Sequence, residues 1–141
     1  MTIKQISIFL ENKSGRLAEV LGILGQENIK IYALTIADTS EYGILRLIVS
    51  DFNKAVEALK EKKFTVNITE VLAVATPSQA GSFAKVLKTF ADECLSIEYM
   101  YAFKGGSNAT LFLRPENIES ALQVLNKHKF SLLTPDDLGK L

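Results

Sequence analysis

The sequence repeats itself. Gly15 and Gly81 stand 66 positions apart, and the same offset brings much of the remaining chain into register without a gap. Ala18 falls on Ala84, Val20 on Val86, Leu21 on Leu87, Ile31 on Ile97, Leu45 on Leu111, Leu47 on Leu113, Ala55 on Ala121, Leu59 on Leu125 and Phe64 on Phe130. Ile6/Leu72, Ile8/Val74, Leu24/Phe90 and Ile29/Leu95 add conservative pairs. Nearly every matched position is apolar or glycine, so what is duplicated is a core pattern. The chain is therefore expected to fold as two copies of one small domain, residues 1–68 and residues 69–141.

Periodicity gives the order of elements within a copy. Ile6, Ile8 and Leu10 alternate with Gln5, Ser7 and Phe9, as in a half-buried strand. Leu17, Val20, Leu21 and Leu24 recur at helical spacing, and that helix should end near "GQEN". Ile29, Ile31 and Ala33 open a second strand, "DTSEYG" reads as a turn, and "ILRLIV" as a third strand. Asp51 is placed to cap a second helix bearing Phe52, Ala55, Val56 and Leu59, and "FTVNI" makes a fourth strand. The second copy repeats the series through "EVLAVA", "LSIEYMYAF", a "KGGSN" turn and "ATLFL", with Asn117 in the place of Asp51. The order β-α-β-β-α-β predicts an α+β fold of two tandem ferredoxin-like units, each an antiparallel sheet with helices on one face.

The opposite face of such a sheet is polar when it meets water. Here it is expected to carry Ile3, Phe9, Tyr32, Leu34, Ile36, Ile44 and Ile48, and in the second copy Met100 and Phe112. That apolar surplus predicts packing against the other copy or a second chain, and so a homodimer. Tyr99, Tyr101 and Phe103 would resemble the base-stacking aromatics of RNA-binding sheets. By the same phase they fall on the helix-covered side, as core.

Sixteen basic and sixteen acidic residues leave a formal net charge of zero, which argues against a nucleic-acid partner. Cys94 and His128 are the only residues of their kinds, so no intrachain disulfide and no Cys/His metal cluster can form. His128 stands near a helix end, where the dipole suits it. Carboxylates are scattered singly and no nucleophile stands with a base, so neither a catalytic residue nor a cofactor is expected. No apolar run approaches a membrane span and "MTIKQISIFLENK" holds no signal-peptide core, predicting a cytoplasmic protein without a membrane partner.

The loop "LENKSGRL" joins the first strand to the first helix. Gly15 allows a close approach to the main chain, and the first N–H groups of the following helix lack intrahelical partners. Together they could hold a carboxylate, with Asn12 as donor or acceptor and Lys13 and Arg16 adding positive charge. The alternative is plain structure, with Ser14 capping the helix and its neighbours solvated.

A β-α-β-β-α-β unit whose first loop reads "ENKSGRL" resembles the ACT domain, and "PSQAGSF" is similar in the second copy. The resemblance covers nearly the whole chain as a tandem pair. It implies a non-catalytic regulatory module that binds a small amino acid between two domains, touched by the first loop of one and the second strand of its neighbour. By position the loop contacts would be Leu10, Asn12, Lys13, Ser14, Gly15, Arg16 and Leu17, and Thr76, Ser78, Gly81, Ser82 and Phe83. The strand contacts would be Lys30, Ile31 and Tyr32, and Ser96, Ile97 and Glu98. The first loop, which has Asn12, is the favoured one. "LENKSGRL" is also similar to a loop in the small subunit of acetohydroxyacid synthase, so a regulatory subunit with a separate enzyme partner is the alternative.

Overall fold

The computed structural model describes every residue except Met1, Asn12, residues 39–41 and Gly106. The turns expected at "DTSEYG" and "KGGSN" rest partly on those residues and to that extent lie outside the described ones. The chain divides into two compact units, Lys4–Thr69 and Met1–Ile3 with Glu70–Leu141.

The first unit contains β1 (Ile3–Glu11), α1 (Arg16–Gln26), β2 (Ile31–Asp38), β3 (Tyr42–Val49), α2 (Phe52–Glu61) and the start of β4 (Val66–Pro77). β3 pairs antiparallel with β1 on one side and β2 on the other. Ile6, Ile8 and Leu10 of β1 pack with Val20 and Leu24 of α1, Leu45 and Leu47 of β3, and Ala55 and Leu59 of α2. Each such side chain contributes about 1.5–3 kcal/mol when fully buried. The rest of β4 opens the other unit and is followed by α3 (Ser82–Asp92), β5 (Ile97–Gly105), β6 (Asn108–Pro115), α4 (Ile118–Lys127), β7 (Ser131–Leu132) and α5 (Pro135–Leu138). β4 lies between β7 and β6, and β6 pairs with β5. Leu72, Val74, Val86, Phe90, Leu111, Leu113, Ala121 and Leu125 form its core. The strands expected separately at "FTVNI" and "EVLAVA" are one 12-residue strand, β4.

Helix boundaries repeat with the sequence. Asp51 accepts a hydrogen bond from the Lys54 N–H at 3.1 Å, and Asn117 from that of Ser120 at 2.9 Å, capping α2 and α4. Ser14 does not cap α1. Gly15 takes the cap position with φ 87°, no side chain caps the helix, and Gly81 does the same before α3 with φ 86°. A tight turn closed by Arg16 N–H donating to Lys13 O (3.3 Å) makes left-handed backbone necessary there. All four long helices end in one motif. Asn28, Lys63, Cys94 and Lys129 are left-handed, and the N–H of the next residue reaches back five positions: Ile29 to Leu24, Phe64 to Leu59, Leu95 to Phe90 and Phe130 to Leu125. The apolar pairs Ile29/Leu95 and Phe64/Phe130 of the repeat are thus helix-terminating residues.

The sheet faces differ from the expected phase in both units, for one reason. The pairing of β2 with β3 shifts between Ile31 and Ala33, and that of β5 with β6 between Ile97 and Tyr99. Tyr32 and Glu98, again 66 apart, are the extra residues of two β-bulges. A one-residue insertion moves every later side chain to the other face. Leu34 and Ile36 therefore pair with the core residues Leu47 and Leu45, and Met100 with Leu113, so none of the three belongs to the open face. Tyr99, Tyr101 and Phe103 move the opposite way, away from the helices. Phe112 is fully buried on that face, with Tyr101 stacked 5.2 Å and Phe103 6.0 Å from its ring. These rings are packed against one another rather than spread as a stacking platform. Phe9 and Ile44 face each other on the open side of the first unit, where Phe9 also meets Tyr42 at 4.9 Å.

Candidate functional site

Each loop before a glycine-capped helix sits at one end of its unit. In the first unit Leu10 pairs with Gly43 and Asp38 with the same residue, so the loop lies at the β2–β3 hairpin end. Asn12 lies outside the described residues. Leu10 points into the core, and Leu17 is partly exposed. Behind Gly15 the N–H groups of Leu17 and Ala18 have no partner among the described residues, as expected at a helix start. The cations of this loop are already matched. Lys13 Nζ is 2.8 Å from Glu11, whose carboxyl it holds below its usual range; Arg16 is 3.0 Å from Glu19 and stacks over the Phe64 ring at 4.6 Å.

The second loop is organised alike but charged differently. Ser78 N–H donates to Ser107 O at 2.9 Å, tying the loop to the β5–β6 connection. Thr76 is buried and donates to Ala109 O at 3.5 Å. A cavity of about 400 Å³ opens between Ser78, Ser82 and Phe83 on one side and Ala102, Phe103 and Lys104 of β5 on the other. A second, of about 350 Å³, shares Pro77, Gln79 and Ser82 with it and reaches Thr76, Lys85 and Lys129. Both fall in the size range of small-molecule sites.

The strand groups sit elsewhere. Lys30 O accepts from Ser50 N–H and Lys30 N–H donates to Ser50 Oγ, both at 2.9 Å, at the end of the sheet away from the first loop. Ser96 O accepts from Glu116 N–H at 3.0 Å, at the corresponding far end of β5. With β2 of 8 residues and β5 of 9, a strand rise of ~3.3 Å puts loop and strand groups roughly 25 Å apart within either unit. Ile31 and Ile97 pack against their cores, and Tyr32 and Glu98 are the bulge residues. Among the described residues, each loop set therefore lies at one end of its unit and each strand set at the other, so the two do not meet within one unit.

Several residues of the cavities escaped the sequence reading: Gln79, Lys85, Phe103, Lys104 and Lys129. The signal was present in the charged positions of the repeat, where Lys85 stands opposite Glu19 and Lys104 opposite Asp38. Among the described residues no group of three or more His, Cys, Asp or Glu side chains is placed to hold a metal. Nor, among the described residues, is any helix long and apolar enough to cross a membrane.

Duplicated βαββαβ units with glycine-capped first helices define a class, and the whole chain matches a family model of that class. Residues 1–141 match the model of the ACT domain pair, and the chain belongs to that family. It is similar to protein BT0572 from Bacteroides thetaiotaomicron, with 49% identity, 100% of this chain and 98% of that one covered, and a TM-score of 0.96. The fold also resembles the ligand-free regulatory subunit of aspartate kinase from Thermus thermophilus, at 17% identity, 88% and 90% coverage and a TM-score of 0.63. E. coli aspartokinase III in complex with lysine and aspartate matches at 24% identity over 89% of this chain and 30% of that chain, with a TM-score of 0.53. No curated protein matches the sequence.

Proposed function

We propose that this ACT domain pair is a non-catalytic regulatory protein that binds a small free amino acid, the loop of one unit and the second strand of another completing the site. The observation that carries this reading is the separation within each unit: Gly15 and Lys30 occupy opposite ends of one sheet, as do Gly81 and Ser96. A site using both sets needs a second unit, and a homodimer in the cytoplasm supplies one. The N–H groups behind Gly15, without a partner among the described residues, suit the ligand's carboxylate, and strand groups such as Lys30 and Tyr32 select its other end. A ligand held between units acts by favouring the association state in which both halves of its site meet.

Calorimetry of the protein against each of the twenty amino acids tests the proposal. One amino acid, or a few related ones, should give saturable heat that Gly15→Val abolishes. Twenty flat titrations of folded protein would contradict it.

A second reading makes the chain the regulatory subunit of a separate amino-acid biosynthetic enzyme such as acetohydroxyacid synthase. It is favoured by the fold shared with the Thermus thermophilus regulatory subunit over 90% of that chain. Stoichiometric recovery of such an enzyme with the tagged protein from native lysate is its expected result, and recovery of the protein alone argues against it.

A further inference from the structure

The two cavities beside the second loop lie wholly within one unit, and their charge is one-sided. Lys85, Lys104 and Lys129 reach them, and among the described residues no Asp or Glu lines them. None of the three lysines forms an ion pair with a described residue, whereas Lys13 and Arg16 of the first loop both do. The difference is built into the repeat: Glu19, which neutralises Arg16, is replaced by Lys85, and Arg16 itself by Ser82. Lys129 is held in left-handed backbone at the end of α4, which fixes where its side chain starts. The cavity that reaches Lys85 and Lys129 also offers the Ser82 and Ser131 hydroxyls as donors, while the adjoining one is walled by Phe83 and Phe103.

Unpaired cations next to an apolar wall select for an anion carrying an apolar body. A zwitterion suits the place poorly, because its ammonium would meet lysines and no carboxylate. We propose that the adjoining cavities bind a small organic anion without a positive charge, its acidic group between Lys85 and Lys129 and its apolar part against Phe83 and Phe103. These cavities share Thr76, Ser78, Ser82 and Phe83 with the second-copy loop contacts, so the inference assigns that loop a different ligand and leaves the amino acid to the first loop, on which it does not rest: Gly15→Val tests the amino-acid reading, and Lys85→Gln tests this one.

The probes are phenylpyruvate, L-phenylalanine, which presents the same ring with an added ammonium, and inorganic phosphate as a bare anion. Each is titrated calorimetrically into the full chain at low and high salt. Phenylpyruvate should bind at least about tenfold tighter than the other two and weaken as salt rises. Lys85→Gln and Lys129→Gln should each lower its affinity about tenfold or more. Lys88→Gln, which removes the same charge from a lysine paired with Asp92 outside the cavities, should leave it unchanged. Circular dichroism and melting curves confirm that each variant is folded. Absence of phenylpyruvate binding, equal or tighter binding of L-phenylalanine, equal binding of phosphate, or indifference to both cavity substitutions would each overturn the proposal.

Discussion

Replacing a glycine by alanine should have opposite effects at two positions seven residues apart. Gly15 caps α1 with φ 87° and ψ −11°. A Cβ added there meets nothing within 4 Å, so the substitution creates no clash and its cost is that of the backbone alone. Left-handed backbone costs an L-residue about 1–2 kcal/mol. Alanine also restricts the unfolded chain, which returns about 0.4–1 kcal/mol, so the net loss is about 1 kcal/mol. Gly22 lies exposed within α1, and a Cβ there is equally unobstructed. Alanine at that position gains about 0.8–1 kcal/mol of helix propensity. Urea unfolding at 25 °C should therefore separate Gly15→Ala from Gly22→Ala by about 2 kcal/mol, with wild type between them. Thermal midpoints should move in the same directions by about 3–6 °C. Gly81, at φ 86°, should behave as Gly15 does. If Gly15→Ala proves neutral or stabilising, the left-handed cap and the loop built on it are wrong.

Two further outcomes follow from the helix ends. Lys63 and Cys94 adopt φ 67° and 57°, positions that favour glycine, so Lys63→Gly and Cys94→Gly should each raise stability in urea by up to about 1 kcal/mol; a loss in both would contradict the helix-terminating geometry. Lys127, and after it His128, hold the Glu93 carboxyl below its ordinary value of 4.5. A depressed folded-state pKa contributes stability above the unfolded value, which is lost as pH falls through the folded one. Melting temperature should thus drop more steeply below about pH 4.5 in wild type than in Glu93→Gln, and parallel curves would remove Glu93 from the account.

Much of the fold was legible because the repeat exposes which apolar positions matter together. Val20 with Val86, Leu45 with Leu111 and Leu59 with Leu125 all stand in the two cores. Asp51 and Asn117 were legible as caps because a short polar side chain before an amphipathic run has one efficient use. The bulges at Tyr32 and Glu98 were not. An extra strand residue leaves no mark in composition, and periodicity carried through it assigns Leu34, Ile36, Met100 and Phe103 to the wrong faces. At the loops, glycine spacing marked the helix starts but not the charge balance around them. Glu11 and Glu19 quench Lys13 and Arg16 only once the turn brings them within 3.0 Å. The lysines of the second copy gather across β5, α3 and the end of α4, a meeting that depends on tertiary structure.

The claim on which the functional account depends is that two units must come together to finish a ligand site. Sedimentation velocity of the wild-type protein over a concentration series, with and without the amino acid that gives calorimetric heat, tests it most directly. The account predicts a dimer whose population grows when that amino acid is added, and a Gly15→Val variant that does not respond. A distribution that stays monomeric, or one that saturating amino acid leaves unchanged, would contradict it.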